Sequence, residues 1–247
     1  MTAADSADRG RRGRVLVAIA FGVMIAILAA MLGQWQTRRG DAKQALQDAW
    51  DAANSAPALS VAGPADALAV VAQLPQRVRA RGMFDARGTV FVGNRMHGAA
   101  AGFYVLTPLR LADGSVALVN RGWIARDARD PALLPPVETP TTETVIEGLA
   151  VARVPRILEL GDVPRPPPPA VWPNLAPDEY TKATGVAAFP FIVQQTSAAD
   201  DGLRRDWPRV DTGVRTHRGY ALQWYALAAL ATGLTVFFGV RALRGVR

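Results

Sequence analysis

The chain contains no cysteine, and this one absence removes disulfide frameworks, cysteine-ligated zinc, iron–sulfur clusters and thiol nucleophiles together. It leaves the compartment open, because a periplasmic domain of this size folds without disulfides. Histidine is almost as scarce: His97 and His217 are the only two in 247 residues. Nucleophilic triads and zinc hydrolase sites therefore have little material, and no G-x-S-x-G, H-E-x-x-H or P-loop pattern occurs. A carboxylate-only enzyme stays open, and nothing in the sequence points to it.

Two stretches lack charge altogether. Val15 to Gly33 runs for 19 residues and Tyr220 to Val240 for 21, with Gln223 the main polar member of the second. At 1.5 Å per residue the first reaches about 28 Å, close to the hydrocarbon thickness of a bilayer. Arginines flank both runs. Two transmembrane helices are the expected reading, over buried core helices or a cleavable signal, since the first run is longer than a typical signal core and no clear A-x-A cleavage site precedes Gln34. The expected organisation is a tail over 1–14, a span over 15–33, a β-rich domain over 34–219, a second span over 220–240 and a tail over 241–247.

The net charge of +7 would suit a nucleic-acid binder, but its placement does not. Residues 1–14 carry +2, residues 241–247 carry +3, and the long remainder carries only +2. The imbalance sits beside the apolar runs, where arginines meet lipid headgroups, so the bilayer is an expected partner and nucleic acid is not. Arginine counts near the first run favour cytoplasmic termini, and those near the second favour the opposite sense. Ala18, Gly22, Ala26 and Ala30 recur every fourth residue, which would suit close helix approach or simply reflect an alanine-rich run.

Between the runs the pattern changes. Residues 34–54 are rich in helix formers and should prolong the first helix until Pro57, and a short helix is expected over 66–73. Gln76 to Phe84 alternates, Asp85-Ala86-Arg87-Gly88 reads as a turn, and Thr89 to Arg95 alternates again, which predicts a hairpin. Gly102 to Leu111 and Ser115 to Trp123 around Asp113-Gly114 predict a second. Further strands are expected over Glu143 to Val151 and Phe189 to Gln195, and a short helix over Asp178 to Thr184. The expected fold class is α+β: two terminal transmembrane helices flanking a mainly antiparallel β domain with a curved or barrel-like sheet. The four-proline run within Pro164 to Pro169 reads as a stiff loop.

Met96-His97 offers soft and borderline copper ligands but lacks a third, and reads as a surface pair. His217 lies just before the second run, on one helical face with Tyr220, Ala221 and Trp224. An antiparallel first span would end at the same level with Trp35, Arg38 and Arg39, and Arg215 and Arg218 lie close by. Imidazole ligates iron, aromatics pack on a macrocycle, and arginines pair with propionates, so these are the components of a haem site. An aromatic belt with snorkelling arginines accounts for the same residues.

The order of short motifs adds a second line of argument. Gly33-x-Trp35-Gln36-x-x-Arg39-x-x-x-Lys43 closes the first run. Arg77-Val78, Gly82-x-Phe84-Asp85, Asn94-Arg95, Gly102-Phe103, Thr107-Pro108-Leu109 and Leu118-Val119-Asn120-Arg121-Gly122-Trp123 follow, and His217-x-x-Tyr220-Ala221-x-Gln223-Trp224 opens the second run. This series resembles the Surfeit locus protein family, assembly factors of cytochrome c oxidase. The match is poor only over Pro131 to Asp211, outside Trp172-Pro173 and the Phe189 strand, and Thr216 stands where the family often has asparagine.

The resemblance implies a role in the bacterial inner membrane, with the central domain in the periplasm and both termini in the cytoplasm. It implies assistance in delivering haem a to the catalytic subunit of the oxidase, with haem a synthase as a further partner. It also implies that His217 takes part in haem binding, as the axial ligand to iron. Trp35, Tyr220 and Trp224 would pack around the ring, and Arg39 and Arg218 would meet the propionates. Two rivals stand beside this: a scaffold that binds the oxidase subunit without a cofactor, and a polysaccharide chain-length regulator. The second has a helix-rich periplasmic domain, where this sequence reads as hairpins.

Overall fold

A computed structural model describes residues 3–130, 133–159, 161, 163–207 and 213–244. In chain order it contains α1 (Ala3–Ser55), β1 (Leu59–Val61), α2 (Pro64–Val71), β2 (Gln76–Phe84), β3 (Val90–His97), β4 (Ala100–Leu111), β5 (Val116–Ala125), β6 (Thr144–Val151), β7 (Ala170–Trp172), α3 (Pro177–Thr184), β8 (Ala188–Gln195) and α4 (Val214–Arg244). The chain divides into two compact units, Met1–Asp48 with Arg209–Arg247, and Ala49–Pro208.

The first unit is an antiparallel helix pair. α1 continues past the apolar run to Ser55, just before Pro57, as its polar helix formers suggested. Both helices are long and apolar enough to cross a membrane, and only 6% of each apolar window is buried. A core helix would be covered; these present Phe21, Ile27, Leu28, Met31, Leu230 and Phe237 in the open. Such surface has a stable environment only in lipid, so the protein is a membrane protein.

The register of the pair follows from its closest approaches. Gly22 lies against Thr235, Gly33 against the ring of Tyr225, Gly40 against His217, and Gly239 against Ile19. Covered residues on α1 include Ile19, Gly22, Ala26, Ala29, Gly33, Gln36 and Gly40, and those on α4 include Val214, His217, Ala221, Trp224, Ala228, Ala231, Thr235 and Gly239. Along both helices steps of three and four mix. Ala18 and Ala30 are exposed, so the seam departs from the four-residue stripe expected of α1. Steps of four advance 40° per turn and wind off the contact face, whereas steps of three and four average 3.5 and remain on it. The hydroxyls of Thr232 and Thr235 bond to carbonyls four residues earlier, so neither leaves an unsatisfied donor in an apolar setting.

The second unit is a mixed, mainly antiparallel sheet in the order β1-β2-β6-β8-β5-β4-β3-β7. The end of β2, Gly82 to Phe84, also pairs with β4, so the sheet curls strongly upon itself. It is not a closed barrel, because β1 and β7 remain as edges. α2 sets Ala67 and Val70 in one core with Val78, Leu109, Ile146 and Phe191. The other face packs Leu106, Leu118, Ile192, Trp172 and Tyr180 with Ala53 from the end of α1. Each fully buried Leu, Ile or Phe contributes roughly 1.5–3 kcal/mol relative to exposure.

The expected hairpin around Asp113-Gly114 is present as β4 and β5. The expected hairpin around Asp85 to Gly88 is not. The turn exists, with Asp85 accepting from the Arg87 N–H, but β2 and β3 part after it. β2 pairs instead with β6 over Gln76 to Gly82. The charges on its solvent face explain the choice: Arg77 meets Glu147 at 3.1 Å and Arg81 meets Glu143 at 3.4 Å across the pair. Exposed pairs of this kind add little energy but select partner and register. β3 carries no such row: Val90, Phe91 and Val92 are buried on both faces and pair with β4 and β7.

Gly82 is where β2 leaves β6 for β4, and a Cβ there would collide with the carbonyl of Arg110. Gly82→Glu is expected to cost a few kcal/mol through that collision and the burial of a carboxylate, read as a lowered Tm of the detergent-solubilised protein. An unchanged Tm would show that the strands separate there without cost.

A second test concerns the ion pair beneath β5. Arg121 is 1% exposed and donates to Asp201 at 2.9 Å and to the Thr139 hydroxyl at 2.8 Å, and Arg205 also meets Asp201. Burial pushes the Asp201 carboxyl up, but the Arg205 bond and charge, with Arg121, outweigh it and hold it below the usual carboxylate range. Its contribution is thus complete above the unfolded value of about 3.9 and is lost as pH falls through the lower folded value. Asp201→Ala strands a buried guanidinium and should cost about 3–5 kcal/mol at pH 7. The gap to the unsubstituted protein should narrow in denaturation below pH 3. A gap independent of pH would assign the effect to packing.

Candidate functional site

The first turn of α4 brings His217 against α1. Its N–H donates to the Gly213 carbonyl at 3.2 Å, which fixes the backbone at the helix start. The imidazole is half-buried, and its Nδ1 lies 2.7 Å from Oε1 of Gln36. A carbonyl oxygen only accepts, so Nδ1 carries the proton and Nε2 the lone pair. One turn further along α1, Gly40 passes under His217; a Cβ there would stand 3.6 Å from the His217 Cβ and 3.9 Å from Cγ of Arg218.

The other expected residues distribute around this point. Trp35 is 51% exposed, and the Arg39 guanidinium lies 5.6 Å from its ring centroid, one turn apart on the same face. Tyr220 is 50% exposed on α4, while Trp224 lies half-buried on the seam. Two helical turns, about 10 Å, separate Trp224 from His217 along the axis. The Thr37 hydroxyl lies 3.4 Å from that of Tyr225, which marks one flank of the pair. Arg218 is one heptad before Tyr225 and shares that flank; by the same spacing, Arg39 and Tyr220 take the other. The structure thus gathers His217, Gln36 and Gly40 in one place and pairs Trp35 with Arg39, but sets the two expected arginines on opposite sides.

An axial iron ligand must be a neutral imidazole with one nitrogen free of a proton, its other N–H held by an acceptor. The contact of His217 Nδ1 with the Gln36 oxygen supplies the acceptor, and exposed aromatic and guanidinium groups lie at the same level of the helix pair. Among the described residues no group of three or more His, Asp or Glu side chains could hold a bare metal ion.

His97 is committed elsewhere. Its Nε2 meets Asp206 at 2.6 Å, its Nδ1 lies 3.4 Å from Nη1 of Arg204, and its ring lies 4.9 Å from Trp123. The adjacent Met96 is 58% exposed. With both ring nitrogens engaged and a cation beside one of them, the Met96-His97 pair has no donor for copper.

The motif residues of the sheet serve the fold. Trp123 Nε1 donates to the Arg95 carbonyl at 2.8 Å, and Arg95 Nη2 donates to the Pro173 carbonyl at 3.1 Å. The Arg121 guanidinium lies over Phe84 at 5.0 Å. Burial pushes the Tyr180 phenol up to about 12, and its hydroxyl donates to the Gly88 carbonyl at 3.1 Å.

Gln36, Gly40 and Tyr225 are the contacts that sequence reading missed. A polar Gln36 within an otherwise small-residue seam was the available signal, but it becomes visible only once the register of the two helices is known.

No curated protein matches the chain significantly. A model of the SURF1 family matches residues 23–229. The match runs from within the first apolar helix to within the second and includes Gln36, Gly40 and His217, together with the whole sheet. The chain belongs to the SURF1 family, a family of cytochrome c oxidase assembly factors.

Proposed function

We propose that the protein binds haem a at the end of its helix pair and assists its insertion into the catalytic subunit of cytochrome c oxidase. In this reading the membrane is the bacterial inner membrane, with residues 34–219 on the periplasmic side and both tails in the cytoplasm. The role is non-enzymatic, as befits an assembly-factor family. Haem a synthase is the expected source of the cargo and the oxidase subunit its destination.

One observation carries the reading: the imidazole of His217 is held at Nδ1 by Gln36 across the seam, which leaves Nε2 as a donor. Haem supplies an iron that accepts one such nitrogen on its axis. The remaining groups act on the macrocycle. Trp35 and Tyr220 offer exposed aromatic faces, and Trp224 closes the seam beneath them. Arg39, stacked on Trp35, and Arg218 on the opposite flank are each a candidate partner for a propionate.

The full-length protein, purified in detergent with haem a supplied, gives the test. His217→Ala should lower haem occupancy and shift the Soret maximum. His97→Ala should do neither, because that imidazole is spent on Asp206 and Trp123. Both changes remove an imidazole, so a general loss of polarity does not account for a difference. Tyr220→Ala and Trp224→Ala should give intermediate losses. Full occupancy and an unshifted spectrum in His217→Ala would leave His217 as a membrane-interface residue and favour a scaffold without cofactor.

A further inference from the structure

Resting on the haem-binding reading of His217, we propose that Gln36 is the positioning residue for that imidazole. Its amide oxygen holds the Nδ1 proton, selects Nε2 as the nitrogen offered to iron, and sets the donor strength of that nitrogen.

The seam of α1 is otherwise built from Gly22, Ala26, Ala29, Gly33 and Gly40, residues that occupy little space. Gln36 is the one long polar side chain among these described seam residues. A polar amide in a half-covered helix contact costs free energy unless it is bonded. Its oxygen is satisfied by His217 at 2.7 Å. A neutral histidine has two tautomers and several rotamers, and a fixed acceptor at Nδ1 removes one tautomer and restricts ring rotation.

Gly40 completes the arrangement. It lies one helical turn from Gln36 on the same face, where a Cβ would stand in ordinary contact with the side chains of His217 and Arg218. The spacing Gln36-x-x-x-Gly40 is thus a shelf on one helix for a ligand carried by the other. Acceptors of this kind fix the orientation of a ligating imidazole and raise its basicity. Because acceptor and ligand stand on different helices, the imidazole is presented only while the helices are paired.

The test uses the full-length protein in detergent, titrated with ferric haem a and read by absorbance and by the midpoint potential of the bound haem. Gln36→Leu removes the acceptor at similar volume and should raise the haem Kd about 10-fold or more, with a shifted Soret band. Gln36→Glu keeps an acceptor and makes it anionic. It should restore binding and lower the midpoint potential, since a stronger acceptor at Nδ1 makes the imidazole a better donor to ferric iron. Rescue by glutamate with a lowered potential is a signature that mere packing does not give. Equal loss of haem in both variants would overturn the proposal, by assigning the loss to helix contact. Wild-type affinity and spectrum in both, with haem lost in His217→Ala, would overturn the role of Gln36 and leave the haem reading standing. Retention of haem by His217→Ala itself would remove the reading on which the proposal rests.

Discussion

Glycine and alanine along one face of α1 let two apolar helices approach closely, and every feature of the first unit follows from that approach. Lipid offers no hydrophobic drive for helix association, so packing and satisfied hydrogen bonds must supply it. A Cβ at Gly22 or Gly33 would overlap Thr235 or Tyr225, so the contact tolerates no larger residue without movement. The same closeness fixes the axial level at which residues of α1 and α4 meet. It brings Gln36 within hydrogen-bond distance of His217, where wider packing would leave the imidazole without an acceptor.

A different constraint governs the sheet. Its central strands are buried on both faces, whereas β2 carries arginines on one face and apolar residues on the other, and pairing had to reconcile both. The arginines of β2 find acidic partners only on β6, so the chain passes through a sharp turn after Phe84 without forming a hairpin. Arg121 is buried outright, and its energetic cost is offset by Asp201, Thr139 and the Glu138 carbonyl. Breaking such a group is far more costly than never having built it, which explains why the segment around Asp201 to Arg204 is fastened to β5 by main-chain bonds at Trp123 as well.

The family motifs separate into two kinds by physical role. Arg95, Arg121 and Trp123 are buried and direct their hydrogen bonds to backbone carbonyls and buried side chains. Trp35, Arg39, His217 and Tyr220 keep faces or atoms in the open at one end of the helix pair. An exposed aromatic ring stacked by an arginine has a surface to offer. A tryptophan whose indole N–H is buried against its own sheet does not.

The sequence by itself determined what depends on local period and composition. Two uncharged runs of bilayer length made the membrane helices legible, the alternation over Gln76 to Phe84 matched β2 residue for residue, and the ends of α2, α3 and β8 fell within two residues of expectation. The position of His217 at the start of the second apolar helix was legible too, because only two histidines exist and one adjoins an apolar run. Pairing was not legible, since a turn shows where a chain reverses and not which strand will lie beside it. The parallel contacts of β5 with β8 and of β3 with β7 join residues 72 to 80 positions apart. The acceptor of His217 lies 181 residues away on the other helix. Only the tertiary structure decides such a bond, because it requires the two helices to meet in one register along their whole seam.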